Sequence, residues 1–349
     1  MKKTLFFVSG NVVGGHEFQC KELIILAGKY SKVTVVFNNI EQYNAFQLDE
    51  SIFSVRISSF FHGWKVPLEL LWSLFNFFKY FNLIRKHDQV VVSAGTIEAS
   101  AGMFLISLFK SSFLYIPMFV DRVVLWGSKF AVVYNYFLYL FILPFSKIIT
   151  ITDAQALYFK KIKCTVVLPN RIVKKLCDET AYGVKKDLNT LYFVGRLDDQ
   201  QKRLAELISW LDTTKNPYKS FYIVGDGPDS KLIRASAEKT AYIQVNFLGW
   251  LDRNEQDHLF GEQDVLILNS SYEGDPLVVR EANERGSVVI ARDIVGIRGC
   301  THLENRYSNK DELLDLLNKT SEGKLSLFDN LSLFETDKIR DNVAKKIFF

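Results

Sequence analysis

The chain has 349 residues, 48% of them hydrophobic and 23% charged, with a formal net charge of +4. This composition excludes a disordered chain, and the length suits two domains better than one core. So modest a positive balance makes no case for a nucleic-acid groove, yet it does not repel an anionic membrane surface.

The N-terminus, MKKTLFFVSG, has a basic start and a short apolar run. The run is too brief for a signal peptide and leads straight into a glycine loop, so residues 5–9 read as a first buried strand. Gly14 and Gly15 follow, then a helix over about 17–30 and a strand over 33–37. That is the opening of a doubly wound sheet, although the spacing is not GxGxxG. Gly15 permits close backbone approach at the loop; Gly14 serves equally well as a plain turn residue.

Residues 60–87 are aromatic and basic, with apolar positions at helical spacing from Pro67 onward. The pattern suits a core helix of an aromatic-rich domain, and equally describes an interfacial helix; the core helix is the favoured reading. Strands are expected over 90–92 and over 113–120, the second ending at Asp121. Residues 130–146 carry no charge but include Asn135, three tyrosines and Pro144. They are read as a partly buried helix seated in part at a membrane interface, not as a span. A strand over 148–152, a helix over 153–161 and a strand over 166–168 complete a first domain, 1–170. Residues 171–189 are polar and read as a connection.

The second domain, 171–349, repeats the alternation. Strands are expected over 191–194, 220–224, 245–248, 265–268 and 288–291, and helices over 204–211, 232–238, 310–317 and 335–349. Asp198-Asp199-Gln200 reads as a solvated turn. The chain is organised around NSSYEGDPLVVREANERG, residues 269–286, read as a tight loop between strand and helix. Asp275 suits the N-cap and Pro276 the first helical position. Helix N-termini bind anions through unpaired N–H groups. Glu273 lies just before that tip and Glu281 lies inside the helix, where its side chain tilts back toward the tip. A phosphate flanked by two hydroxyl-accepting carboxylates describes a nucleotide-sugar site. The four cysteines, Cys20, Cys164, Cys177 and Cys300, form no CxxC pair, so a zinc site or disulfide framework is not indicated and a reducing cytosol fits.

Glu273-x7-Glu281 resembles the EX7E motif of family-four retaining glycosyltransferases of the GT-B fold. Phe193-Val194-Gly195-Arg196-Leu197 with Lys202 is similar to that family's VGR…K segment, and Ile223 to Pro228 to its VGDGP turn. Phe247-Leu248-Gly249-Trp250-Leu251 is similar to its FLGW strand end, and Gly14-Gly15-His16-Glu17 to its GGxE loop. These matches fall in the family's order and reach from the first strand to about Gly296.

The resemblance implies an α/β protein of two Rossmann-like domains facing a central cleft, the last helix (about 335–349) crossing back onto the first domain. It implies transfer of a sugar, with retention, from a nucleotide-diphosphate-sugar to a glycan acceptor. A UDP-sugar is favoured over a GDP-sugar. The acceptor is read as a lipid-linked glycan of a bacterial surface polysaccharide, with peripheral contact at the inner face of the cytoplasmic membrane. By the same resemblance Glu281 accepts the ribose hydroxyls and Glu273 those of the transferred sugar. Arg196 and Lys202 (rather than Arg203) meet the diphosphate, together with the backbone of Gly274, Asp275, Pro276 and Leu277. Trp250 and Leu251 contact the base, although Trp250 suits core packing nearly as well. No cofactor and no metal are expected, since there is no DxD triplet; the diphosphate's growing charge is met by fixed cations and dipoles.

Where many family members carry a His, residues 115–121 read YIPMFVD. Asp121 is the candidate to take a polar role there. The gap leaves a second reading open, a catalytically silent nucleotide-sugar-binding partner subunit. A GT-B-fold epimerase is disfavoured, because the motifs place no acid/base histidine at the sugar pocket.

Overall fold

The computed structural model describes residues 1–9, 15–60, 66–95, 97–117, 129–171, 190–251, 264–325, 327 and 333–349. The chain divides into two units, 1–171 with 334–349, and 172–333.

Among the described residues, the first unit holds a parallel sheet ordered β3-β2-β1-β4-β5-β6-β7. Its strands are β1 (Lys2–Val8), β2 (Ser31–Phe37), β3 (Ser54–Ile57), β4 (Gln89–Ser93), β5 (Ser111–Tyr115), β6 (Lys147–Thr150) and β7 (Thr165–Val167). The helices are α1 (Gly15–Gly28), α2 (Ile40–Phe46), α3 (Val66–Arg85), α4 (Phe104–Phe109), α5 (Lys129–Tyr139) and α6 (Asp153–Lys160). Successive strand residues point to opposite faces. Leu5, Phe7, Val90, Val92 and Leu114 therefore join one core with residues of α3, α4 and α5. Phe6, Val8, Val35, Phe37 and Val91 join the other, with α1 and α2. A sheet covered on both faces explains why its strands read as continuous apolar runs.

Three expectations change here. The strand expected over 113–120 is β5, Ser111–Tyr115, and residues 118–128, Asp121 among them, lie outside the described residues. A short helix, α2, and an edge strand, β3, follow β2 where no element was expected. Third, α3 is not a core helix of the usual polarity. Its buried positions are Glu69, Ser73, Asn76, Tyr80 and Ile84, while Leu71, Leu74, Phe75 and Phe78 are exposed. No helix of the described residues is long and apolar enough to cross a membrane.

Among the described residues, the second unit holds a parallel sheet ordered β10-β9-β8-β11-β12-β13. The strands are β8 (Leu191–Val194), β9 (Ser220–Val224), β10 (Gln244–Gly249), β11 (Val265–Leu268), β12 (Val288–Arg292) and β13 (Arg306–Tyr307). Between them run α7 (Asp199–Lys202), α8 (Leu204–Leu211), α9 (Ser230–Ala237), α10 (Leu277–Glu284) and α11 (Lys310–Ser321). Leu191, Phe193 and Ile267 pack with α8, α9 and α11. Tyr192, Val194, Leu266 and Leu268 pack with Val279 and Ala282 of α10 on the other face. The strand order reverses between β8 and β11, which pair directly through Val265–Leu191 and Leu266–Tyr192. Open α/β sheets bind ligands outside the carboxyl ends of the strands at such a switch point.

The terminal helix, α12 (Leu333–Phe348), lies with the first unit, where Ala344, Ile347 and Phe348 enter the core that holds Phe6. Arg340 donates to the Pro169 carbonyl, and Asp337 pairs with Arg171 at 3.4 Å. These contacts fix where the chain returns.

Candidate nucleotide-sugar site

The motif segments of the second unit converge at the carboxyl ends of β9, β8 and β11. Backbone hydrogen bonds hold the first two loops together. Gly195 N–H donates to the Val224 carbonyl, Leu197 N–H to that of Asp226, and Asp229 N–H to that of Leu197, each at 3.0 Å. The approach is so close that a Cβ on Gly225 would lie 1.9 Å from the Gly195 carbonyl oxygen, so only glycine fits there. Asp226 accepts from Ser230 Oγ and from Gly227 N–H, which hold its carboxyl below its usual range.

The segment after β8 was expected to be a solvated turn. It is instead the single-turn helix α7, whose N-cap Asp198 accepts from Gln201 N–H at 3.2 Å. Asp199 Oδ1 accepts from Ala205 N–H at 2.8 Å, tying α7 to α8. One turn of helix gives no repeat for sequence periodicity to detect, though Asp198 is a recognisable cap. The turn aims two cations differently. Lys202 Nζ reaches Glu273 Oε1 at 2.5 Å, with both side chains largely buried. Arg203 adopts a left-handed backbone, φ 50°, and pairs with Glu206 at 2.6 Å. Arg196 stands exposed just past β8 and has no ion-pair or side-chain hydrogen-bond partner among the described residues.

The loop after β11 is zipped onto α7. Ser271 N–H donates to the Gln201 carbonyl at 2.7 Å, and Gln201 Nε2 donates to the Tyr272 carbonyl at 3.2 Å. Ser270 Oγ donates to the same Glu273 Oε1 that Lys202 holds, at 2.6 Å. Glu273 Oε2 makes no hydrogen bond among the described residues, so one carboxylate oxygen is fixed and the other is left to accept. Gly296 abuts this loop from behind: a Cβ there would lie 2.1 Å from the Glu273 carbonyl oxygen.

The helix start departs from expectation. Pro276 is the N-cap of α10, with no side-chain cap bond, and Leu277 is its first helical residue. Asp275 does not cap; its buried carboxylate accepts from Arg280 Nε at 2.8 and 2.9 Å. An acid at a helix start was read as a cap because a basic partner five residues on carries no cap signature. The first N–H groups of α10 have no intrahelical acceptor and remain an anion-facing tip behind Gly274 and Asp275. Glu281 lies partly exposed in the next turn. In the core under α10 the Cys300 thiol is pushed up to about 12, by burial first and then by the Asp275 carboxylate, which disfavours the nucleophilic thiolate.

At the end of β10, Trp250 is exposed, which removes the core-packing reading. Leu251 is partly buried against the core beneath α10. In the first unit Gly15 opens α1, and the loop before it, residues 10–14, lies outside the described residues.

Sequence reasoning missed the polar network that frames the β11 loop. Buried Asn269 donates to the Arg203 carbonyl at 3.1 Å and to Glu206 at 2.8 Å, and accepts from Tyr307 Oη at 3.1 Å. Arg292 reaches the same Glu206 at 3.1 Å. Burial pushes the Tyr307 hydroxyl far up, so it stays a donor. These groups come from four separate segments and share no spacing that a linear motif would register.

With this geometry in place, residues 178–307 match the family of glycosyl transferases group 1. The match covers little more than a third of the chain. A 125-residue stretch is 33% identical to an uncharacterized 41.2 kDa protein in the cps region of Klebsiella pneumoniae, and spans 35% of this chain but only 32% of that protein. Among solved structures, the lipopolysaccharide outer core galactosyltransferase WaaB in its apo form is similar with a TM-score of 0.69 at 19% identity, over 99% of this chain and 98% of that one. HepE from Anabaena, in complex with UDP and glucose, is similar with a TM-score of 0.67 at 15% identity, over 100% and 95% of the two chains. At such identities the likeness shows the fold, two parallel α/β units of the GT-B type.

Proposed function

We propose that the group 1 domain binds a nucleotide-diphosphate-sugar, UDP-linked by preference, and transfers its sugar with retention to a lipid-linked glycan acceptor of a bacterial surface polysaccharide. The observation that carries this reading is the grouping at the β8–β11 switch point. Exposed Arg196, the Lys202–Glu273 pair and the tip of α10 stand together there, beside a partly exposed Glu281. Cations and a helix tip suit a diphosphate, and carboxylate oxygens suit sugar hydroxyls.

In the proposed reaction the bond from the anomeric carbon to the diphosphate oxygen breaks while the acceptor oxygen bonds to the same face. The acceptor's proton passes to the departing phosphate oxygen. Arg196, Lys202 and the α10 tip stabilise the charge that grows on that leaving group. Lys202 also fixes Glu273, so that its free oxygen orients the transferred sugar. Glu281 takes the ribose hydroxyls and Trp250 stands beside the base. No protein nucleophile and no metal are required by this scheme. UDP is favoured because HepE was solved with it, and the acceptor class follows the name of WaaB and the cps-region relative.

The test is turnover of a UDP-sugar panel by the wild type and by Arg196→Ala and Glu281→Ala. Each variant is expected to lose donor turnover by at least about a hundredfold while melting like the wild type. Wild-type turnover in either would overturn the site assignment. A chain that binds nucleotide and turns nothing over would be the silent partner subunit instead.

A further inference from the structure

Helix α3 is turned inside out. Its buried stripe carries Glu69, Ser73 and Asn76 above Tyr80 and Ile84, and two of these polar residues bond neighbouring backbone. Asn76 Nδ2 donates to the carbonyls of Phe60 and Gly102 at 2.8 Å each, and Ser73 Oγ accepts from Leu105 N–H at 2.9 Å. The outward stripe is Leu71, Phe75 and Phe78, exposed at 70%, 63% and 69%. A helix at a water-facing surface has the opposite polarity. Helix α5 buries Asn135 between Ala131 and Leu138, and likewise turns large apolar residues outward, Val133 and Tyr136 among them. Helix α4 joins the two: Phe77 of α3 meets Phe109 at 4.4 Å between ring centroids, and Phe104 meets Phe141 just past α5. Phe109 is itself 59% exposed. All three helices cover the same face of the first sheet, so their outward residues form one apolar surface.

The charge on this surface has a single sign. Glu69 is the only carboxylate within α3, α4 and α5, and it is buried. Lys79 and Arg85 are exposed along α3, Lys79 donating to the Ser59 carbonyl and Arg85 lying 5.6 Å from the Phe81 ring centroid. A second copy docked on the same face would set these cations against one another with no carboxylate to receive them, because a two-fold interface is self-complementary. Aromatic and aliphatic residues beside Lys and Arg match the boundary of an anionic bilayer, where the rings enter the acyl region and the cations meet phosphate headgroups.

We propose that the outward face of α3, α4 and α5 is a docking surface for an anionic lipid bilayer. The proposal stands apart from the reading of the second unit, since it needs neither donor nor acceptor.

The test is flotation of the full chain with vesicles of phosphatidylcholine alone and with vesicles of phosphatidylcholine and phosphatidylglycerol at seven to three. The anionic vesicles are expected to carry the protein, less so as salt rises. Phe75→Ser with Phe78→Ser replaces two exposed side chains, so it leaves the melting temperature unchanged and lowers the partition by at least about tenfold. No flotation of the wild type, or equal flotation of the double variant, would overturn the proposal. A concentration-dependent dimer that the double variant abolishes, with vesicles ignored by the wild type, would assign the face to a second copy and equally overturn it.

Discussion

Lys202 and Glu273 show how little room the site leaves for rearrangement. One carboxylate oxygen of Glu273 takes both Lys202 Nζ and Ser270 Oγ, and the loop's backbone is pressed against Gly296. Removing one partner of a pair this far from water leaves a charge without compensation, at about 3–5 kcal/mol. The site can be disturbed more gently from behind. Gly296→Ala puts a methyl 2.1 Å from the Glu273 carbonyl oxygen, so the loop must move. A shift of about 1 Å at a reacting group costs about a hundredfold in rate. Gly296→Ala is therefore expected to lower sugar-transfer kcat about a hundredfold with a much smaller change in nucleotide affinity, measured by turnover beside calorimetric titration. Equal kcat in the variant would mean that the position of Glu273 does not govern the reaction.

At the scale of elements, the apolar strands were the most legible part of the chain. Leu191–Val194 and Val265–Leu268 are buried on both faces, so each reads as an unbroken hydrophobic run with sharp ends. Helix α7 was illegible because one turn has no period, and yet it decides that Lys202, not Arg203, meets Glu273. Helix α3 is legible as a helix but not in polarity: its periodic leucines and phenylalanines suggest a core stripe, whereas the buried stripe runs from Glu69, Ser73 and Asn76 to Tyr80 and Ile84. Its C-terminal end carries a measurable consequence. His87 shares its ring nitrogens between the Leu83 carbonyl at 2.7 Å and Thr34 Oγ1 at 2.8 Å. Burial holds its imidazole below the usual 6.5, against the opposing pull of the Leu83 carbonyl. Below about pH 6.5 the unfolded chain takes up a proton that the folded chain declines, so stability falls as pH drops through that value. The melting temperature should decline between about pH 7 and pH 5, and His87→Gln should flatten that decline. An unchanged slope would place the responsible group elsewhere.

At the scale of the whole molecule, the sequence revealed two α/β units because each begins with an apolar strand and a glycine loop. It also carried the motif segments of the second unit in order, since those residues sit at strand ends where local spacing and spatial grouping coincide. The Asn269–Glu206–Arg292–Tyr307 network was hidden for the opposite reason: its members meet only after β11, β12 and β13 are laid side by side. Acceptor choice is not written in any comparable motif.

The most direct measurement is the shift in unfolding temperature of the full chain with UDP, GDP and ADP, without added metal, beside Arg196→Ala and Glu281→Ala. A nucleotide at ~100 times its dissociation constant adds about 2.7 kcal/mol of apparent stability. The expected result is a clear rise with UDP, smaller or absent with GDP and ADP, and lost in both variants. No rise with any nucleotide, or an equal rise in the variants, would contradict a donor site at the carboxyl ends of β8 and β11.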